Sequence, residues 1–145
     1  LEILDGDDLN KWLKPDGWSR ESRIINTKRS AHVAKLLLKH NISVCVSVIS
    51  PYNESRKAAR EIINDDRFIE MYIKCQLQVC ESRDVKGMYK KARSGEIINF
   101  TGVNGEYEIP SKPDLVIDTE NHSPHENVTE IMQYLKARKL ISAAN

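Results

Sequence analysis

The sequence lacks any hydrophobic run long enough to cross a membrane. Its longest apolar stretch, residues 42–49, has the length of a strand, whereas a transmembrane helix needs about 20 residues. An excess of one charge is also missing, since 22 Lys and Arg residues balance 21 Asp and Glu residues, so we expect no binding to nucleic acid or to a membrane surface. Residues 1–10 carry Asp5, Asp7 and Asp8 instead of the basic and apolar regions of a secretory signal. We therefore expect a cytoplasmic protein.

Cysteine and histidine are scarce, and their spacing does not suggest metal ligands. The cysteines, Cys45, Cys75 and Cys80, are odd in number and form no C-x-x-C pair, which argues against a disulfide framework and against a zinc site. Their apolar neighbours favour reduced thiols in the core. The histidines form no pattern of metal ligands either, so solvated or helix-capping roles suit them better.

Short apolar runs alternate with amphipathic stretches along the chain, which is typical of an α/β protein with a parallel sheet. The apolar runs are nearly continuous, as expected for strands that are covered on both faces. A length of 145 residues suits a single domain. We predict strands at residues 1–4, 44–49, 68–73 and 115–117, and helices at residues 22–40 with Ser22 as N-cap, 52–64, 76–83 and 126–140.

Polar residues follow the predicted strands, at the sheet edge where open α/β proteins bind ligands. Asp5, Asp7 and Asp8 come directly after the first strand, where Gly6 allows a sharp turn into a helix. Such carboxylates can hold Mg²⁺ through water or accept a proton from a substrate hydroxyl. An acidic helix N-terminus, which the helix dipole favours, explains the cluster equally well.

A second group of candidates lies at the start of the first long helix. Arg23 and Asn26 are three residues apart and share a helical face. Their donors could meet a phosphate or sulfate there, while Trp18 stacks on a base. The alternative is a solvated basic helix start, with Trp18 covering the core.

A third group combines cations with an aromatic residue. Residues 86–93 contain four cations, and Gly95 and Gly102 flank Phe100. Such a segment can close over an anionic ligand, with the cations meeting phosphates and Phe100 supplying a stacking face. An exposed charged helix is the simpler alternative.

These motifs occur in a fixed order along the chain. The order is Asp5-Gly6-Asp7, Gly17-Trp18-Ser19, Arg23-x-x-Asn26-x-Lys28-Arg29, Ile49-Ser50-Pro51-Tyr52, the stretch from Cys80 to Arg93, and Phe100-Thr101-Gly102. Read together they resemble the adenylylsulfate kinase family, from Leu1 to about Leu140. The resemblance implies a three-layer P-loop NTPase fold with a parallel sheet, one kinase-like domain over residues 1–145, and a lid at about residues 84–112.

The resemblance also implies an activity, which is transfer of the γ-phosphoryl group of ATP, with Mg²⁺, to the ribose 3′-hydroxyl of adenylylsulfate in sulfate assimilation. Asp7 matches the acidic residue near the acceptor hydroxyl and Mg²⁺, and Lys86 matches a lid residue. Ser50 matches a serine described as a phosphoryl carrier, although direct in-line transfer needs no such intermediate. Arg83 falls where the family contacts the ATP base. The implied substrate-binding residues are Asp8, Asn10, Trp18, Arg23, Asn26, Ile49, Lys86 and Phe100, with Trp18 and Phe100 stacking on opposite faces of the base.

The sequence departs from the family pattern in two respects. The 145 residues contain no G-x-x-x-x-G-K-[ST] segment, which holds the ATP phosphates in this fold. We expect that segment, with the first strand and helix of the fold, to lie upstream of Leu1, so that a central strand is missing here. The family also usually reads Asp-Gly-Asp-Asn-x-Arg, whereas Asp8 and Asn10 occupy the last two named positions. Loss of this Arg could change the choice of substrate.

Two alternatives to adenylylsulfate phosphorylation remain open at this point. Relatives resembling the family phosphorylate the ribose 3′-hydroxyl of cytidine diphosphoramidate in capsule modification, and a less anionic acceptor would suit the absence of Arg at Asn10. The other alternative is a nucleotide-binding domain without catalysis. The resemblance further implies a homodimer.

Overall fold

The computed structural model describes residues 1–13 and 17–141. The chain divides into two compact units, one made of Leu1–Phe68 with Lys91–Ile109 and the other of Ile69–Lys90 with Pro110–Asn145. Each unit contains a pair of parallel strands accompanied by helices, so the predicted α/β class with parallel strands is confirmed. Among the described residues, no helix is both long enough and apolar enough to span a membrane.

The first unit carries most of the predicted acceptor residues. Its elements are β1 (Glu2–Asp5), α1 (Gly6–Leu13), α2 (Arg20–Leu38), β2 (Val44–Ser47) and α3 (Asn53–Ile63). Strands β1 and β2 are parallel, and Asp5 lies opposite Ser47 at their carboxyl ends. Ala31 and Ala34 share a face of α2, where their small side chains allow α3 to pack closely. The buried core of this unit consists of Leu4, Leu9, Ala31, Ala34 and Ile63.

Helix α2 begins earlier than predicted because Ser19, not Ser22, is its N-cap. The Oγ of Ser19 accepts the backbone N–H of Ser22 at 3.2 Å, which satisfies one of the free donors at the helix start. Ser22 is buried and donates its Oγ–H to the carbonyl of Gly17 at 3.1 Å. Together the two serines fix the backbone on either side of Trp18.

Strand β2 is shorter and more exposed than predicted. It ends at Ser47, and most of its side chains are exposed, whereas the sequence predicts a buried strand over residues 44–49. Within the part of the chain that the structure describes, β2 pairs only with β1, so its apolar side chains remain accessible. Cys45 is therefore exposed and its predicted core position is wrong, while Cys75 and Cys80 are half-buried; the three thiols are free.

The elements of the second unit are β3 (Met71–Lys74), α4 (Leu77–Arg83), β4 (Leu115–Asp118) and α6 (Pro124–Ala137). Helix α5 (Met88–Arg93) begins in the second unit and ends in the first, because the chain passes between the units after Lys90. Strand β3 begins three residues later than predicted because the N–H of Glu70 donates to Asp114 Oδ2 at 2.8 Å, before the ladder starts. Helix α6 begins before Glu126, since Ser123 and Glu126 form a capping box at its start.

Candidate functional site

The carboxyl end of β1 carries the acidic cluster. Its turn into α1 favours Gly6, because a Cβ at this position would lie 3.2 Å from the carbonyl oxygen of Ser47. Asp5 closes the turn, since its Oδ1 accepts the backbone N–H of Asp7 at 2.8 Å. Asp7 is exposed at the edge where β1 and β2 both end, which is where a parallel sheet places ligand-binding residues.

Asp8 and Asn10 lie on α1, and both side chains are exposed. Asp8 accepts a hydrogen bond from Lys11 Nζ at 2.7 Å, and this bond raises the pKa of Lys11. An exposed ion pair of this kind adds little stability. The positive charge of Lys11 does, however, offset the negative charge that Asp8 adds next to Asp7. The sequence pattern alone does not reveal this pairing.

Arg23 connects Trp18 to a turn that is distant in sequence. Its guanidinium lies 5.1 Å from the centre of the Trp18 ring, and its Nε donates to the Trp18 carbonyl at 3.3 Å. One terminal nitrogen donates to the carbonyl of Asn99 at 3.0 Å. Burial lowers the pKa of this guanidinium, which nevertheless stays charged because arginine does not lose its proton in proteins. Within the first unit, Arg23 thus links the predicted residue Trp18 to the turn that carries the predicted residue Phe100.

Phe100 belongs to a tight turn over residues 99–105. Its backbone N–H donates to Asn104 Oδ1 at 2.7 Å, and the N–H of Gly105 donates to the Phe100 carbonyl at 2.9 Å. A Cβ at Gly105 would lie only 2.8 Å from backbone atoms of Asn99, so the turn requires glycine there. The half-buried Phe100 is therefore carried by a well-fixed backbone, as a stacking residue needs to be.

Asn26 lies one helical turn after Arg23 on α2 and is half-buried. Its Oδ1 accepts a hydrogen bond from Arg29 at 3.3 Å, and its carbonyl accepts the hydroxyl of Ser30 at 2.9 Å. Arg29 therefore orients the Asn26 amide on the same helix that carries Arg23.

The chain leaves β2 through Ile49 and Ser50. Ile49 is 55% exposed, so it is available to contact a ligand. Ser50 has a φ of 41°, in the left-handed region that serine seldom adopts. Arg56, buried on α3, donates to the Ser50 carbonyl at 2.6 Å and fixes this unusual backbone.

Sequence patterns did not identify Arg56 or Glu108 as part of this region. Arg56 comes four residues after Tyr52, so the two share a helical face. This spacing is a weak indication that Arg56 lies near the end of β2. Glu108 accepts the backbone N–H of Asn53, which precedes it by 55 residues, and a contact that distant leaves no pattern in a single sequence.

Arg83 lies at the end of α4 in the second unit and lines a cavity of about 570 Å³. It donates to the Thr119 carbonyl at 2.7 Å and contacts the Cys75 sulfur at 3.8 Å. Ile117 contributes an apolar wall, and Asn127, which is 7% exposed, has a side-chain oxygen without a hydrogen-bond partner in the described ranges. A largely apolar cavity with a few fixed polar groups is the usual form of a small-molecule site.

Lys86 lies in the exposed turn between α4 and α5. Asp84 shapes this turn by accepting the backbone N–H groups of Tyr89 and Lys90, each at 3.0 Å. Burial acts to raise the pKa of Asp84, but its bonds to backbone N–H groups outweigh this effect and lower the pKa. The carboxylate is therefore charged at neutral pH and holds the turn that presents Lys86 in the second unit.

The acidic cluster at the end of β1 is the candidate position for the implied Mg²⁺. Across residues 1–13 and 17–141 there is no group of three His, Cys, Asp or Glu side chains that could hold a metal ion by itself. In phosphoryl-transfer sites, however, Mg²⁺ is held by one or two carboxylates together with waters and substrate phosphates. Asp7, at the end of a parallel strand, fits a ligand of this kind.

Known proteins resemble this chain in both sequence and fold. The family model for adenylylsulphate kinase matches residues 1–118. An adenylyl-sulfate kinase from Oceanobacillus iheyensis is 47% identical over 139 residues, which cover 95% of this chain and 70% of the relative. Its counterpart from Halothermothrix orenii is 45% identical over 143 residues, covering 98% and 76% of the two chains.

A solved structure agrees in fold as well. The Mycobacterium tuberculosis APS kinase CysC in complex with AMPPNP and APS matches with a TM-score of 0.87 and 40% identity, covering 93% of this chain and 79% of that one. This likeness confirms that the fold is the α/β fold of these P-loop kinases. The chain belongs to the adenylylsulfate kinase family.

Proposed function

We propose that this protein transfers the γ-phosphoryl group of ATP to the ribose 3′-hydroxyl of adenylylsulfate, giving 3′-phosphoadenylylsulfate for sulfate assimilation. Relatives at 47% and 45% identity are adenylyl-sulfate kinases, and an APS kinase of the same fold binds APS and AMPPNP. The observation that carries the proposal is the grouping of Trp18, Arg23 and the Phe100 turn. It combines aromatic surface with a fixed cation, as an anionic nucleotide requires.

The acceptor nucleotide binds to the first unit. Trp18 and Phe100 stack on the base, an interaction that every nucleobase permits through its two faces. Arg23 provides charge-assisted hydrogen bonds to the phosphosulfate group. Asn26 and Ile49 complete the contacts, one through its oriented amide and the other through its exposed side chain.

Asp7 acts at the acceptor hydroxyl. It accepts the 3′-hydroxyl proton as that oxygen bonds to the γ-phosphorus and the bond between the γ-phosphorus and the β-phosphate oxygen breaks, releasing ADP. Mg²⁺, when bound with Asp7 as a ligand, neutralises charge on the phosphate oxygens. Ser50, three residues beyond the end of β2, shapes the acceptor site without carrying the phosphoryl group.

The donor nucleotide binds partly to the second unit. The cavity beside Arg83 receives the base of ATP, since it offers an apolar wall and fixed polar groups. Lys86 belongs to the lid of residues 84–112 and meets a phosphate of the bound nucleotides, a role that the family resemblance implies and that suits a cationic side chain.

The test is turnover by the full-length protein with ATP labelled at the γ-phosphate. Labelled 3′-phosphoadenylylsulfate should form with adenylylsulfate as acceptor. The Asp7→Asn variant should lose at least about 100-fold in kcat, in line with the loss of a general base. Tight nucleotide binding by the wild type without any product would instead favour a nucleotide-binding domain without catalysis.

A second acceptor deserves a direct comparison because of Asn10. Its neutral amide stands where the family has Arg, and Lys11 is paired with Asp8 next to it. Both features reduce the positive charge available to a phosphosulfate tail. Cytidine diphosphoramidate, the acceptor in capsule biosynthesis, ends in a neutral amino group where adenylylsulfate ends in a sulfate oxygen. A higher kcat/KM with it than with adenylylsulfate would assign that substrate.

The resemblance also supports a cytoplasmic homodimer. The cysteines of the described residues are free thiols, as expected in a reducing compartment. Sedimentation equilibrium of the full-length protein at micromolar concentration would test the dimer, and a monomer mass would contradict it.

A further inference from the structure

Arg56 is a buried arginine that makes three hydrogen bonds to the chain around Ser50. Only 8% of its surface is exposed, and it donates to the carbonyls of Ser50 and Glu108, each at 2.6 Å. It also donates to Asn53 Oδ1 at 2.5 Å. We propose that Arg56 is a positioning residue for phosphoryl transfer, which holds the Ser50 backbone and residues 106–108 in one fixed arrangement beside the acceptor site.

The need for such a residue follows from the backbone of Ser50. Its φ of 41° is unfavourable for any residue with a Cβ, so the chain would relax if nothing held it. The hydrogen bond from Arg56 fixes the direction of the Ser50 carbonyl, and with it the path from Ile49 into buried Pro51. Ile49 is a predicted substrate-binding residue and Ser50 a predicted catalytic residue, so the geometry of both depends on a residue that the sequence did not assign to the site.

Residues 106–108, which we call the Glu108 strap, are tied to the same place by a second set of bonds. The N–H of Glu108 donates to the Pro51 carbonyl at 2.8 Å, and its Oε2 accepts the N–H of Asn53 at 2.7 Å. A carboxylate at this point satisfies a free donor at the start of α3, where the N-cap Tyr52 offers no side-chain bond, and suits the helix dipole. The bond from Asn53, aided by Arg20, lowers the pKa of Glu108.

Arg20 ties the strap to the start of α2. It donates to Glu106 at 3.2 Å and to Glu108 at 3.1 Å, and its guanidinium stacks on the ring of Tyr52 at 4.0 Å from the centroid. Tyr52 is only 6% exposed, so its ring is held in place beneath the Arg20 guanidinium. The strap is thus held from α3 by the buried Arg56 and from α2, the helix that carries Arg23 and Asn26, by the exposed Arg20.

The planar guanidinium is what makes this role specific to arginine. It presents several N–H donors in a rigid fork, whereas the ammonium group of lysine is a single point that cannot reach the same acceptors together. Loss of Arg56 should therefore move the Ser50 backbone even if the charge is kept. This inference rests on the proposed function, because its kinetic consequence is measured on transfer to adenylylsulfate.

The test compares Arg56→Lys and Arg56→Met with the matched control Lys57→Met in the full-length protein. Lys57 is the next residue on α3 and is well exposed, so its loss should leave kinetics unchanged. We expect kcat to fall at least about 10-fold in both Arg56 variants, because small displacements of reacting groups slow the reaction. The KM for ATP should stay within twofold of the wild-type value. A folded variant with wild-type kcat would overturn the proposal, and Arg20→Met, at the exposed end, should show a smaller loss if Arg56→Met does not fold.

A crystal structure of Arg56→Lys provides a readout that is independent of activity. The proposal expects Ser50 to leave the left-handed region or residues 106–108 to shift, and unchanged backbone in both places would refute it. If the wild type fails to phosphorylate adenylylsulfate, the proposed function fails, but this structural comparison still decides the role of Arg56.

Discussion

The guanidinium of Arg23 donates a 3.0 Å hydrogen bond to the backbone carbonyl of Asn99, the residue that directly precedes Phe100. The same guanidinium lies 5.1 Å from the centre of the Trp18 ring. Arg23 therefore contacts one predicted stacking residue, Trp18, and the turn that carries the other, Phe100, although the two are far apart in sequence. Because these contacts already occupy part of its donor fork, Arg23 is held in place before any nucleotide arrives.

Replacement of Arg23 by Met should weaken acceptor binding much more than donor binding. Hydrogen bonds to charged groups are worth roughly 1.5–3 kcal/mol, so we expect the KM for adenylylsulfate to rise by roughly 10- to 150-fold. The KM for ATP should change by less than about twofold. Lys28→Met, at an exposed position of the same helix, is the control. Equal effects on both substrates would show that Arg23 serves the fold and not the acceptor.

Gly105→Ala should disturb the Phe100 turn. The added Cβ would lie 2.8 Å from the backbone of Asn99, so the turn must open and Phe100 must move. We expect a rise of about 10-fold in the dissociation constant for adenylylsulfate, measured by calorimetry with the full-length protein. Gly95→Ala is a suitable comparison, because a Cβ there meets nothing within 4 Å and the variant bears only the cost of a positive φ. Identical affinities in both variants would argue against a stacking role for Phe100.

Asn10→Arg should shift acceptor preference toward adenylylsulfate. The new guanidinium restores a cation on α1, where Lys11 is already paired with Asp8. We expect kcat/KM with adenylylsulfate to increase by at least about fivefold, which corresponds to about 1 kcal/mol. The ratio to cytidine diphosphoramidate is the measured quantity. A ratio that does not change would mean that Asn10 lies outside the acceptor contacts.

Much of the fold and some of the site were accessible from local patterns. The strand-end position of Asp7 followed from Gly6 and the apolar run before it, and Arg23 and Asn26 followed from helical spacing, so these depend on residues close in sequence. The exposure of Cys45 could not be predicted, because it depends on which strands pair with β2. The N-cap was misplaced by one turn, since Ser19 and Ser22 satisfy the same local rule.

Contacts between distant segments were beyond the reach of a single sequence. Arg56 is buried, and one of its hydrogen bonds goes to the carbonyl of Glu108, more than fifty residues further along the chain. The tie between Arg23 and Asn99 likewise joins segments whose proximity is decided only by the packing of the first unit. Both cases concern charged side chains whose partners are backbone carbonyls, and carbonyls carry no sequence signal.

Ser50→Ala should leave substantial activity if transfer from ATP is direct. The substitution removes the hydroxyl but keeps the carbonyl that accepts the bond from Arg56. A left-handed φ costs alanine about as much as it costs serine, so the backbone should stay in place. We expect kcat to fall by less than about 10-fold in steady-state assays of the full-length protein. A loss of several orders of magnitude would instead establish Ser50 as a phosphoryl carrier.

The capping box of α6 predicts a pH-dependent contribution to stability. Glu126 accepts the hydroxyl and backbone N–H of Ser123, each at 2.7 Å, and these bonds lower the pKa of its carboxyl below the ordinary 4.5. Because the folded pKa lies below the unfolded one, the contribution is fully present above about pH 4.5 and is lost as the pH falls through the folded pKa. Urea unfolding of the full-length protein and of Glu126→Gln should therefore show a stability difference at pH 7 that shrinks toward pH 3. Ser123→Ala should cost about 1 kcal/mol at pH 7, as N-cap losses do. A difference between wild type and Glu126→Gln that is constant from pH 7 to pH 3 would contradict this assignment, since it would show that the carboxylate charge plays no part in the cap.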